Sequence, residues 1–265
     1  MNSQIQSRAL GKAANSTVRT RKRTRILTLL CGWIPLSLGV HARRLMYKMM
    51  LRYTGHAINI QTGVTISDGS CVGMADHICI SQGTILEAHN ADEIHLGKYV
   101  FLDRGVRISC GRDGGVVELR ERVSIDRGVD IKTHRHGRTT VGKRTYIGPY
   151  CCLSGYGDIK IGENCLIASH TSIYAHNYNF GDPTTAIREQ GYTQKGITIG
   201  DDCWIGSGVR IVDGVSIGAG SVIGAGAVVT RDIPANSVAV GSPARVVKTR
   251  SERSVPQHNF LEMTA

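Results

Sequence analysis

Along the C-terminal third of the chain an aliphatic residue recurs at every sixth position: Ile199, Ile205, Ile211, Ile217, Ile223 and Val229. Four places after each stand Cys203, Val209, Val215, Ser221, Ala227 and Ile233, mostly small. Three places after each stand Asp202, Gly208, Gly214, Gly220, Gly226 and Asp232. Six is a multiple of the two-residue alternation of a strand, so the aliphatic side chain falls on the same side every time. It does not fit a 3.6-residue helix. Gly, Asp and Asn tolerate the left-handed backbone region at little cost and so mark a turn in every repeat. Short strands with a corner every six residues build a triangular prism, three repeats to a coil, with aliphatic side chains inside and backbone hydrogen bonds between coils. Less regular runs carry the pattern back through Ile161/Ile167/Ile173 (Asn164 at a corner), Val141/Ile147/Leu153, Ile125/Ile131 and Leu96/Leu102/Ile108 to Ile60 and Ile66. Six consecutive matches at three coordinated positions argue against chance spacing in an irregular all-β fold.

The charge is as unevenly placed as the repeat is regular. Of 265 residues with net charge +11, residues 1–52 hold eleven Lys or Arg and no Asp or Glu, and the rest balance. A field so localised argues for a docking tail and against a basic nucleic-acid groove. The apolar stretch Ile26–Val40, behind Arg19, Arg21, Lys22, Arg23 and Arg25, resembles the start of a signal peptide but is short for a transmembrane helix. In His41–Arg52, Arg44, Lys48 and Arg52 recur every four residues, with Leu45/Met49 and Met46/Met50 on the other side. That pattern suits an amphipathic helix, either a surface anchor or a cap on the fold. The expected organisation is a basic, partly disordered and helical segment at 1–57, an all-β domain at 58–250 and a flexible tail at 251–265. The eight Cys form no zinc-ribbon pairs, and Cys151, Cys165 and Cys203 fall at the small repeat position, reading as buried filler in a reducing compartment.

The hexads from Ile199-Gly200 to Val229-Thr230 resemble the hexapeptide-repeat acyltransferases. Three stretches, Ile199–Ile205 (IGDDCWI), Val222–Arg231 (VIGAGAVVTR) and Gly241–Val246 (GSPARV), resemble their maltose, galactoside and exopolysaccharide O-acetyltransferase branch. The resemblance implies a left-handed parallel β-helix with a short N-terminal helical segment and a protruding loop. It also implies a cytoplasmic homotrimeric enzyme that transfers acetyl from acetyl-coenzyme A to a sugar or polysaccharide hydroxyl, with no metal expected. By the same resemblance Trp204 walls the pantetheine channel and Ser207 lies near the thioester. Ala225, Thr230 and Arg231 border the pantetheine and nucleotide, and Arg231, Arg245 and Lys248 meet the coenzyme phosphates, a task that suits Arg and Lys.

The six-residue register breaks at Tyr174–Gly196, a polar loop of the kind that carries function on a rigid scaffold. Transfer to a hydroxyl needs a base near neutrality, and histidine is the side chain whose unperturbed pKa suits that. His176 is the candidate. Taken alone, a loop histidine is more often a solvated side chain. The family carries its catalytic His shortly after the last aliphatic residue before the extended loop, the place His176 fills. Where relatives show an Asp-His-Asn/Asp-His cluster, this chain reads Ala175-His176-Asn177-Tyr178, so the group that orients His176 is open, a backbone carbonyl among the options. His170 counts to a repeat corner. His134 and His136 lie in a second break, Lys132–Thr140. Two rival functions stand beside acetyl transfer: a γ-type carbonic anhydrase-like metal site, and a non-catalytic scaffold. Peripheral membrane binding through residues 1–52 would bring such an enzyme to a surface glycan.

Overall fold

The computed structural model describes Arg43 and residues 45–111 and 113–250. The apolar stretch 26–40 and the tail 251–265 lie outside the described residues. Each hexad contributes a short strand, and among the described residues the strands form three sheets of eight, ten and eight, plus one two-stranded ribbon. The chain visits a first, a second and a third face in turn and then begins the next coil. Pairing along every face is parallel except at the end, where Ser237–Val240 pairs antiparallel with Arg245–Thr249. The expected all-β, hexapeptide-repeat parallel β-helix is the fold of this chain. The predicted aliphatic column is its core: Ile199, Ile205, Ile211, Ile217, Ile223 and Val229 are each at most 1% exposed. A fully buried aliphatic side chain is worth about 1.5–3 kcal/mol.

The register between coils shows where the repeat bends its own rule. Residues aligned on the first face (Gly73, His95, Glu118, Thr140, Lys160, Thr198, Ser216) lead six residues later to those aligned on the second (Cys79, Phe101, Ser124, Tyr146, Leu166, Trp204, Val222). Six more residues reach the third face (Ile85, Arg107, Asp130, Cys152, Ser172, Arg210, Val228). Two corners therefore never change length. The corner from third face back to first absorbs every irregularity, widest between Ser172 and Thr198. Both breaks read from the sequence, 132–140 and 174–196, fall on this one edge.

The constant corners carry the left-handed residues. Gly83, Gly105, Gly128, Tyr150, His170, Gly208 and Gly226 follow one another with positive φ at the second-to-third corner. His170 (φ 61°) is thus a structural corner, its ring 5.4 Å from that of Tyr150 one coil earlier.

The small inward positions do more than fill space. Thr145 Oγ1 donates to the Gly162 carbonyl at 2.7 Å, Cys165 Sγ to Gly200 at 3.1 Å, Cys203 Sγ to Gly218 at 3.3 Å and Ser221 Oγ to Pro234 at 2.9 Å. Each ties one coil to the corner of the next and satisfies a carbonyl there. The seven described cysteines are free. Burial pushes Cys110 up to about 12 and Cys151 up to about 11, so both stay thiols.

Residues 45–50 are helical and cover the open end of the first coil. Arg43, Met46, Tyr47 and Leu51 are buried. Arg43 Nε donates to the Ile60 carbonyl at 2.9 Å, and the Tyr47 hydroxyl reaches the Val64 carbonyl at 3.5 Å. Of the two apolar rows read from the sequence, Met46/Met50 turns inward and Leu45/Met49 does not. Leu45 is 66% and Met49 84% exposed, because the stripe against the prism runs through 43, 46, 47, 50 and 51. Among the described residues no helix is long and apolar enough to cross a membrane.

Thr145→Val keeps the volume of the buried site but removes its hydroxyl, which also accepts from Cys165 N at 3.0 Å. The substitution is expected to cost about 1–3 kcal/mol, read as a lower midpoint in urea unfolding.

Candidate active site

The strand Ser172–Ala175 ends on the irregular edge, and His176 is the next residue. From there Asn177–Tyr178 pairs antiparallel with Tyr192–Thr193, so the chain leaves the prism as a hairpin before Ile197–Ile199 resumes the first face. The loop is tied within itself. The Asp182 carboxylate accepts from Thr184 N, Thr184 Oγ1 and Thr185 Oγ1 at 2.7–2.8 Å, which holds its pKa down to about 2. The Gln190 amide donates to the Asp182 and Thr185 carbonyls. The return of the loop is pinned by Asp213, a buried carboxylate that accepts from Thr193 Oγ1 at 2.7 Å, Lys195 N at 3.0 Å and Gly196 N at 2.9 Å. Gly157 lets the loop seat closely, since a Cβ there would stand 2.8 Å from Gly196 N.

Three successive third-face strands, Asp130–Thr133, Cys152–Gly155 and Ser172–Ala175, align in register and are followed by His134, Tyr156 and His176. Their rings form a column. His134 stacks on Tyr156 at 4.9 Å, and Tyr156 meets His176 edge-on at 5.0 Å. Tyr192 packs on Tyr156 at 4.6 Å and Tyr178 stands 6.0 Å from His176. The Arg135 guanidinium lies over both Tyr156 and Tyr192, at 6.0 and 5.6 Å. Burial, then the nearby imidazole of His176, lowers the pKa of His134 and favours its neutral form.

His176 is half-buried, and its Nδ1 is shielded from solvent with no hydrogen-bond partner among the described residues. No backbone carbonyl holds it. Tyrosine rings surround the imidazole instead, Tyr156, Tyr174 and Tyr178 each standing nearly perpendicular to it. Sequence neighbours of His176 give no sign of Tyr156, which comes from the preceding coil.

The other expected site residues lie elsewhere. Trp204 stands outward on the second face, 55% exposed beside Leu166 and Val222. Ser207 is at the second-to-third corner, its hydroxyl on the Ser169 carbonyl at 2.8 Å, and Ala225 occupies the same corner one coil on. Thr230 and Arg231 follow the last third-face strand, Val228–Val229, and Arg245 and Lys248 lie on the closing strand. All are exposed, and among the described residues none of Arg231, Arg245 and Lys248 forms an ion pair. One chain therefore does not bring Ser207 and Ala225 to His176, whereas Thr230 and Arg231 leave the third face on its edge, two coils on. Ser207 and His176 occupy opposite edges of the third face, on the order of 15–20 Å apart at strand rise. Among the described residues no three His, Cys, Asp or Glu side chains are grouped as metal ligands.

A family model described as bacterial transferase hexapeptide (six repeats) matches residues 196–231. A protein of Dictyostelium discoideum named as an acetyltransferase is 39% identical over 139 residues, 52% of this chain and 67% of the relative. The chain belongs to the hexapeptide-repeat transferase family. A Mycobacterium tuberculosis protein, also named as an acetyltransferase, is 36% identical over 151 residues, 57% of this chain and 50% of the relative. The chain thus spans between half and two-thirds of these relatives' length. Its fold is shared with a crystal structure of the polysialic acid-specific acetyltransferase NeuO, at TM-score 0.54 and 24% identity over 78% of this chain and 82% of that one.

Asp213 accepts three hydrogen bonds from the base of the loop, so Asp213→Ala is expected to free residues 193–196. Faster amide hydrogen exchange there, with unchanged exchange in the strands 204–229, is the measurement.

Proposed function

We propose that this hexapeptide-repeat transferase moves the acetyl group of acetyl-coenzyme A to a hydroxyl of a sugar or polysaccharide, with His176 as general base. The carrying observation is the ring of His176, met edge-on by Tyr156 and Tyr178 at the root of a pinned loop, with its Nδ1 buried and without a partner among the described residues. Nε2 takes the proton of the acceptor hydroxyl as its oxygen attacks the thioester carbonyl. The tetrahedral intermediate collapses, the C–S bond breaks, and the imidazolium returns the proton to the departing thiolate. A backbone N–H serves the oxyanion. Naming of the relatives as acetyltransferases supports the donor, and the resemblance of Ile199–Ile205, Val222–Arg231 and Gly241–Val246 to the maltose, galactoside and exopolysaccharide O-acetyltransferases supports the acceptor.

The separation of His176 from Ser207 and Ala225 supports a homotrimer in which each site lies between two prisms. The edge bearing His176 in one subunit faces the corner bearing Ser207 and Ala225, with Trp204 alongside, in the next. Thr230, Arg231, Arg245 and Lys248 then serve the nucleotide end of the coenzyme. A neighbouring subunit or the acceptor supplies the missing partner of Nδ1, whose burial alone costs about 1–3 kcal/mol. The exposed Leu45 and Met49, flanking Lys48, support peripheral attachment of residues 1–52 to the inner face of a membrane, close to a lipid-linked acceptor.

His176→Ala is expected to lower acetyl transfer by on the order of a hundredfold or more while coenzyme A binding persists. Near wild-type turnover would overturn the assignment, and absence of coenzyme A binding in the parent protein would favour a scaffold.

Shared sites give a second measurement. Ala225→Trp blocks the donor corner and His176→Ala removes the base, so each variant alone is inactive. Refolded together in equal amounts, they restore about a quarter of the sites if each site spans two subunits. No recovery from the mixture would place base and donor in one chain.

A further inference from the structure

Beside the His176 cluster, around the irregular edge and onto the first face, the structure holds an open cleft of about 430 Å³. That is large enough for a sugar ring. Its walls are basic. Arg135, Lys160 and Lys195 converge on it, and among the described residues none of the three forms an ion pair. The one acid in the lining, Asp158, already accepts the backbone N–H of Arg138 at 2.9 Å. The cations are held by different devices. Arg135 lies over two tyrosine rings, Lys160 stands on the regular strand Ile159–Ile161, and the Lys195 backbone is fixed by Asp213. Unpaired cations gathered by three separate elements leave a surplus of positive charge that a neutral acceptor would not use.

The cleft and the candidate base share a wall. Tyr156 lines the cleft and presents its ring edge-on to His176 at 5.0 Å. The cleft and the ring of His176 thus adjoin through Tyr156. We infer that the cleft binds an anionic group, carboxylate or phosphate, of the acceptor, so that the substrate is an acidic sugar or glycan acetylated at a neighbouring hydroxyl. This deepens, and rests on, the reading of His176 as base toward a sugar hydroxyl. Thr198 and Ser216, also in the lining, offer hydroxyl donors to the same oxygens.

Direct binding tests the inference without requiring turnover. Calorimetric titration of the full-length protein compares methyl glucuronide with methyl glucoside, and glucose 6-phosphate with glucose, at low and high salt. The expected result is at least about tenfold tighter binding of an acidic member, shrinking as salt screens the site. Lys160→Gln combined with Lys195→Gln should abolish that preference. The two pairs tell whether carboxylate or phosphate is the source of the charge. Equal binding of acidic and neutral sugars overturns the proposal, and so does a preference that survives the double variant. Displacement of the acidic sugar by coenzyme A alone would assign the cations to the donor and likewise overturn it. His176→Ala separates the two readings: it should keep the acid preference whatever its effect on transfer.

Discussion

Every coil of this protein is hydrogen-bonded to the next along three faces, and the rest of the structure follows from that ladder. Parallel pairing sets each residue above its counterpart, so a change in coil length must be expelled where the chain is not paired. Two corners are closed by single left-handed residues and keep their length in every coil. The third corner takes all additions, from the short turn before Gly73 to the hairpin between His176 and Gly196. An insertion at either of the other corners would slip a strand by its own length and turn aliphatic side chains outward.

The same stacking makes columns of side chains, and the columns divide the work. Inside, the aliphatic column supplies the apolar burial, and the Thr145–Cys165–Cys203–Ser221 column ties corner carbonyls that burial would otherwise leave unpaired. At the N-terminal end a helical turn covers the first coil through Arg43 and Tyr47, and at the other end the strand Arg245–Thr249 pairs with Ser237–Val240. On the irregular edge the column His134–Tyr156–His176 is a by-product of register: three loops of different length begin at aligned positions and deliver three rings to one place. Without the ladder, residues so far apart in the chain would have no reason to meet.

That edge is therefore both the least regular part of the fold and the best supported. Asp213 pins the return of the loop to a coil that has no insertion of its own, and Gln190 and Asp182 brace its tip. A histidine at its root gains a fixed ring plane without an acidic partner. The aromatic clamp takes the orienting role that a carboxylate or carbonyl would otherwise fill.

The chain by itself determined the architecture, since a six-residue period with coordinated aliphatic, small and left-handed positions has few structural solutions. It also determined His170 as a corner and His176 as the histidine at the widest break in register, because both are statements about position in a count. It did not tell the two apolar rows of the N-terminal helix apart: Leu45 and Met49 are as greasy as Met46, and which row turns inward depends on the shape of the first coil. It also gave no sign that the breaks at 132–140 and 174–196 lie on one edge, that Tyr156 meets His176, or that Arg135, Lys160 and Lys195 share a cleft. Those meetings depend on how many residues each coil spends before it closes. That number is set by pairing with the neighbouring coils, so the tertiary structure alone decided it.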